Sequence, residues 1–132
     1  MFGLGADILS LKRFQRTMAA GGEDFLRSVF SRRERELAAG RENSALFYAG
    51  RFAAKEALFK ALAIGWEEGL KMDEMEILQA ENGAPLAELT GRSARLAAER
   101  GLTEVRVSLS WEDEYVMAVA LAAGPEKQQF SM

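Results

Sequence analysis

The stretch that most constrains this chain is Gly50-Arg51-Phe52-Ala53-Ala54-Lys55-Glu56-Ala57-Leu58-Phe59-Lys60-Ala61-Leu62. Strong helix formers fill it. At 3.6 residues per turn, Phe52, Ala53, Ala57, Leu58, Phe59, Ala61, Leu62 and Ile64 spread round most of the circumference. A helix that is apolar on nearly all sides must be wrapped by the rest of the fold. A carboxylate on such a helix is costly unless something matches its charge. Glu56 and Lys60 stand four residues apart and share a face. They can form an ordinary helix ion pair worth about 0.3–0.5 kcal/mol, or together hold a hard cation and the phosphates bound to it.

Composition narrows the chemistry. The chain has 132 residues with no cysteine and no histidine. That removes disulfides, thiolate nucleophiles, zinc sites built from sulfur or imidazole, and every histidine base. A metal here must sit on oxygen ligands, which favours magnesium, calcium or manganese. The length and the 48% hydrophobic content suit one globular domain, read as residues 1–124 with a loose tail over 125–132. With no signal-peptide pattern and no apolar run long enough to cross a bilayer, the reading is a cytoplasmic protein with no membrane partner.

The net charge of -3 conceals an asymmetry. Residues 1–60 carry 11 basic and 7 acidic side chains, and residues 61–132 carry 6 and 13. Lys12, Arg13, Arg16, Arg27, Arg32, Arg33 and Arg35 are interleaved with Phe14, Met18, Phe25, Leu26, Val29 and Phe30, as on a helical surface that receives an acidic partner. Nucleic acid fits less well, because the chain is acidic overall and has no long basic stripe. These charges can also be plain solvated helix faces.

From Phe2 to Ile8 the chain alternates, with Phe2, Leu4, Ala6 and Ile8 on one face and Gly3, Gly5 and Asp7 on the other, as in a half-buried strand. The glycines are expected to leave open space beside Asp7 for a ligand, although Asp7 can equally serve to start the next helix. Helices are predicted over 10–19 and 23–30 with a break at Gly21-Gly22, and Ser31-Arg32-Arg33-Glu34 fits a capping box. The long helix should begin near Asn43 or Ser44 and end by Gly65. Strands are predicted over 72–78, 86–89, 104–110 and 115–122, with Asn82-Gly83-Ala84-Pro85 and Glu112-Asp113-Glu114 as turns and a helix over 92–100. The fold class is α+β: a small, mostly antiparallel sheet covered by helices, one of them long and central.

Four pieces in this order, Gly5-Ala6-Asp7-Ile8, Phe52-Ala53-Ala54-Lys55-Glu56-Ala57 with Lys60, Asn82-Gly83-Ala84-Pro85 and Val107-Ser108-Leu109-Ser110, resemble holo-acyl-carrier-protein synthase. The match runs from residue 3 to about 122. That family, the small bacterial type of 4'-phosphopantetheinyl transferase, moves the phosphopantetheine arm of coenzyme A onto a serine of an acyl carrier protein. The reaction releases adenosine 3',5'-bisphosphate and serves lipid metabolism, in fatty acid biosynthesis or polyketide assembly.

The resemblance implies roles for particular residues. Asp7 and Glu56 would hold Mg2+ with the coenzyme A diphosphate, Lys60 would sit on the same phosphates, and either Glu56 or a metal-bound water would take the serine proton. Arg51 and Lys55, one turn earlier, are candidate nucleotide-phosphate contacts, or else exposed helix charges. Gly65, Ser110 and Trp111 fall where coenzyme A should lie. Arg13, Arg16 and Met18 would meet the acidic helix of the carrier, and family members of this size are commonly homotrimers with the coenzyme A site between subunits.

Two departures stand out. Trp111 replaces a usual histidine, and Ala63-Ile64-Gly65 replaces Gly-Thr-Gly, removing a glycine that permits an unusual turn or a close phosphate. An active transferase with a shifted preference is the reading, and a binding module that lost turnover is the alternative.

Overall fold

The computed structural model describes residues 1–125, Trp66 by its backbone alone. The tail expected over 125–132 therefore lies, Pro125 apart, outside the described residues. Strand β1 (Phe2–Ser10) leads into helix α1 (Leu11–Val29), then α2 (Arg32–Ala39), α3 (Ser44–Leu62), β2 (Met75–Gln79), β3 (Pro85–Leu89), α4 (Gly91–Glu99), β4 (Glu104–Glu112) and β5 (Tyr115–Ala123). The strands form two antiparallel sheets rather than one, β1-β5-β4 and β2-β3.

Local chemistry accounts for the boundaries. The Ser10 side chain accepts the Arg13 N–H and starts α1, which kinks where Gly22 leaves helical geometry at φ 58°. Ser31 and Glu34 form the capping box of α2, and the Asn43 side chain accepts the Leu46 N–H to start α3. Helix α3 is buried over most of its length, as its all-round apolar pattern requires. The predicted strand from Met72 begins instead as a 3-10 turn over Met72–Glu74.

The core lies between α3 and one face of the larger sheet. Central strand β5 turns Val116, Ala118, Ala120 and Ala122 inward, all nearly inaccessible, against the alanines of α3. Small residues on both sides let helix and sheet approach closely, and β1 takes this furthest. A Cβ on Gly3 would lie 1.9 Å from the Ala61 carbonyl oxygen, and one on Gly5 would lie 2.0 Å from that of Ala57. The glycines therefore leave no open space for a ligand: the backbone of α3 fills it.

This contact also inverts the expected sidedness of β1. Its glycine face packs on α3, while Phe2, Leu4 and Ile8 are 70%, 68% and 64% exposed. Across the register, Tyr115, Met117 and Val119 of β5 extend the same apolar face. Alternation in sequence separates two faces of a strand but does not say which one the fold covers.

Candidate active site

Asp7 sits on the α3 side of β1, and Glu56 and Lys60 face it from the last turns of α3. Lys60 Nζ donates to the Ala6 carbonyl oxygen at 2.7 Å and lies 3.5 Å from Asp7 Oδ1. The Asp7 side chain is 20% exposed and that of Lys60 is 56% exposed, so the cluster opens to solvent. Glu56 is half-buried. Its burial, and then the negative charge of Asp7, raise its pKa above the ordinary carboxylate value, with Lys60 acting the other way. Two repelling carboxylates and one ammonium make a place that gains from added positive charge.

The donor set suits magnesium, which needs only one or two protein carboxylates because it retains water and takes the substrate's phosphates. Among the described residues no group of three or more acidic, histidine or cysteine side chains converges, so an all-protein cage is not present. Of the expected cluster, the structure thus brings Asp7, Glu56 and Lys60 together.

Lys55 requires a correction. It was a candidate phosphate contact, yet its side chain is fully buried on another side of α3. Its ammonium donates to Glu34 Oε1 at 2.6 Å, to the Val29 carbonyl at 2.8 Å and to the Met72 carbonyl at 2.7 Å. All three donors are used, which leaves none for a ligand. Arg51 is also turned inward, donating to the carbonyls of Ile77 at 3.2 Å and Leu78 at 3.3 Å. Burial, and then the nearby charge of Arg41, lower its pKa to about 10, so it is still cationic at neutral pH. The Gly65 N–H is taken by the Glu68 carboxylate at 2.9 Å.

Arg51 borders a second depression of about 390 Å³ on the β4 side of α3, lined also by Leu46, Phe47, Leu109 and Trp111. Ser110 points to the opposite face of β4 and does not line it. Asp7 aligns across the sheet with Ala118 of β5, which aligns with Leu109 of β4. At about 4.8 Å per strand, β1 and β4 are about 10 Å apart, with α3 lying between the two depressions. The depression is lined by Leu46, Phe47, Gly50 and Arg51 of α3 and by none of Asp7, Glu56 and Lys60.

Along α1 and α2 the structure sorts the basic residues. Lys12 pairs with Glu114 at 2.7 Å, Arg27 with Glu23, Arg32 with Glu36, and Arg33 with Glu76 at 2.7 Å. Arg13 and Arg16 have no such carboxylate among the described residues and stay exposed, while Met18 is half-buried against the core. Arg13 borders a groove of about 580 Å³ with Ile8, Phe14, Thr17, Phe52 and Tyr115, beginning one residue from Asp7 and one helical turn from Glu56. Asp7, Glu56 and Lys60 do not themselves line this groove.

The 4'-phosphopantetheinyl transferase superfamily model matches residues 3–120. The chain is 40% identical over 129 residues to the holo-[acyl-carrier-protein] synthase of Desulforudis audaxviator, covering 98% of each, and 41% identical over 121 residues to that of Geotalea daltonii, covering 92% and 95%. This chain belongs to the 4'-phosphopantetheinyl transferase superfamily, among its holo-acyl-carrier-protein synthases. The Neisseria meningitidis holo-acyl-carrier-protein synthase superposes with TM-score 0.85 at 29% identity over 92% of this chain and 97% of that one. A Chronobacterium ammoniagenes synthase in complex with coenzyme A gives 0.82 at 27% identity over 96% and 99%.

Within this synthase family, one departure finds a physical reason in the backbone. Ala63, where the family motif has glycine, is the C-cap of α3 at φ 54° and ψ 34°, in the left-handed region. Its N–H closes on the Phe59 carbonyl at 3.1 Å. The family glycine thus marks a helix-ending turn, which alanine adopts here under strain of about 1–2 kcal/mol.

Proposed function

We propose that this chain transfers the 4'-phosphopantetheine group of coenzyme A to a serine of an apo acyl carrier protein, releasing adenosine 3',5'-bisphosphate. The observation that carries the reading is the meeting of Asp7, Glu56 and Lys60 in a solvent-open cluster. Asp7 and Glu56 would hold Mg2+, which when bound supplies positive charge to the diphosphate. The incoming serine oxygen forms its bond to the phosphorus of the pantetheine phosphate as the bond to the nucleotide's bridging oxygen breaks. The serine proton passes to Glu56 or to a water held beside it. Lys60, exposed and held over β1 by the Ala6 carbonyl, neutralises the departing phosphate.

Arg13 and Arg16 give the acidic carrier a charged landing strip, with Phe14 and Phe52 forming the apolar floor beside them. Trp111 offers a flat surface to the coenzyme A nucleotide from the β4-side depression. Because that depression and the Asp7 cluster share no lining residue, we assign the two to one coenzyme A bound between neighbouring copies of the chain. The exposed apolar face of β1 and β5 supports that assembly, read as a homotrimer. No helix among the described residues is long and apolar enough to cross a membrane, and the reading places the enzyme in the cytoplasm.

The test is intact mass of an apo acyl carrier protein incubated with the protein, coenzyme A and magnesium. A phosphopantetheine-sized gain is expected in the complete reaction and in neither the metal-free nor the Asp7→Ala sample. Coenzyme A binding with no gain on any carrier would instead indicate the alternative, a degenerate binding module.

A further inference from the structure

Ala63 holds a left-handed conformation that is strained for any residue with a side chain, and such strain persists only where the surroundings over-determine it. Helix α4 supplies that restraint through Glu68, a carboxylate outside the recognised motifs. One Glu68 carboxylate oxygen accepts the Gly65 N–H at 2.9 Å, and the other accepts the Arg100 guanidinium. The same guanidinium donates to the Ala63 carbonyl at 3.3 Å. Arg92, eight residues before Arg100, fixes the main chain of Glu68 by donating to its carbonyl at 3.2 Å and 3.0 Å. Main chain and side chain of Glu68 are thus both gripped from α4, and Glu68 and Arg100 together grip the turn 63–65. The Gly65 N–H first, and the Arg100 guanidinium with it, hold the Glu68 carboxyl below its ordinary value, so it is ionised at neutral pH.

The clamped turn closes on Lys60. The Ala63 N–H reaches the Lys60 carbonyl at 3.3 Å as well as that of Phe59 at 3.1 Å. The left-handed residue therefore seals the helical turn whose ammonium stands against the Ala6 carbonyl and Asp7. Glycine at 63 would hold this geometry without strain and would need no clamp. An exposed ion pair contributes little by its own attraction. With side chains 43% and 34% exposed, Arg100 and Glu68 matter for the backbone groups their ends hold.

We infer that Arg100 and Glu68 are positioning residues for Lys60, a clamp that compensates for alanine at the α3 C-cap. This rests on the transfer reading above, in which Lys60 meets the departing phosphate. Both residues act through Lys60. Without the clamp Ala63 relaxes out of the left-handed region, its N–H leaves the Lys60 carbonyl, and the ammonium spreads over more positions. The loss belongs in kcat, because a charge aimed at the transition state works only when it is held in place beforehand.

The experiment uses the full chain with one apo carrier protein at saturating coenzyme A and compares wild type, Arg100→Gln, Ala63→Gly and the double variant, with the melting temperature of each. Arg100→Gln is expected to lower kcat about tenfold, and adding Ala63→Gly to restore it to within about twofold of wild type. Glu68→Ala, which removes the other arm, should lose and regain kcat in the same way. A wild-type kcat for Arg100→Gln, or a loss that Ala63→Gly does not repair, overturns the inference, since an arginine of merely structural importance would show no such rescue. The melting temperatures form a cycle that needs no turnover. Arg100→Gln should lower the melting temperature more in the alanine chain than in the glycine chain, and equal drops contradict the clamp. If the wild type transfers nothing, the transfer reading fails on its own, and the melting cycle still decides whether Arg100 holds Ala63.

Discussion

Lys55 and Lys60 stand on the same helix, five residues apart, and lead opposite lives. Lys55 is fully buried, and its three donors go to Glu34 and two carbonyls; Lys60 is 56% exposed, with one carbonyl partner and a carboxylate at 3.5 Å. Burial lowers the Lys55 pKa and raises that of Glu34, and their mutual attraction opposes both shifts. Around Lys55 the end of α1, the first turn of α2, the 3-10 turn at Met72 and strand β2 converge, because the Val29, Met72 and Ile77 backbones all join the pair. A lysine with every donor satisfied is a structural tie. A lysine with donors to spare beside two carboxylates is free to meet a ligand, the role proposed for Lys60.

Substitutions can break this comparison, and the largest effect is expected inside. Lys55→Ala leaves the Glu34 carboxylate buried without its cation and should cost about 3–5 kcal/mol of stability, read by chemical denaturation. Transfer activity should fall only as far as the folded fraction falls. Next, Lys60→Ala should leave the denaturation midpoint near wild type while lowering kcat by about 10²–10³-fold, as expected for loss of one group aimed at a developing charge.

A smaller effect sharpens where the helix ends. Ala63→Gly relieves the left-handed strain at the α3 C-cap and should stabilise the protein by about 1 kcal/mol, with kcat unaltered. Destabilisation would show that the alanine side chain makes packing worth more than its strain.

The smallest expected effect concerns acid. Glu76 is hydrogen-bonded by the Arg33 guanidinium at 2.7 Å and 3.0 Å and by the Ser31 hydroxyl at 2.6 Å. The Arg33 bond foremost holds the Glu76 pKa below the ordinary 4.5. A lowered folded-state pKa contributes stability above the unfolded value and loses it as pH falls through the folded one. The melting temperature of the wild type should therefore drop more steeply below about pH 4.5 than that of Glu76→Gln. Parallel curves would remove Glu76 from the acid response.

The long helix, its caps and the shared face of Glu56 and Lys60 were legible in the sequence, because periodicity and four-residue spacing fix which side chains share a face, whereas the place of Asp7 beside them was implied only by the family resemblance. The fate of Lys55 was not legible, since its partner Glu34 lies 21 residues earlier and only the tertiary fold brings them together. The sidedness of β1 was misread for a related reason. Gly3 and Gly5 look like gaps in sequence, whereas a helix packed at backbone distance requires them, and the apolar side is left outward.

The most direct measurement sets Lys60→Met beside wild type in the carrier-modification reaction, following intact mass over time with the melting temperature of each sample recorded. The account predicts a wild-type melting temperature and a transfer rate lowered at least a hundredfold. A Lys60→Met protein that modifies its carrier at the wild-type rate would contradict it and move the chemistry away from the Asp7, Glu56 and Lys60 cluster.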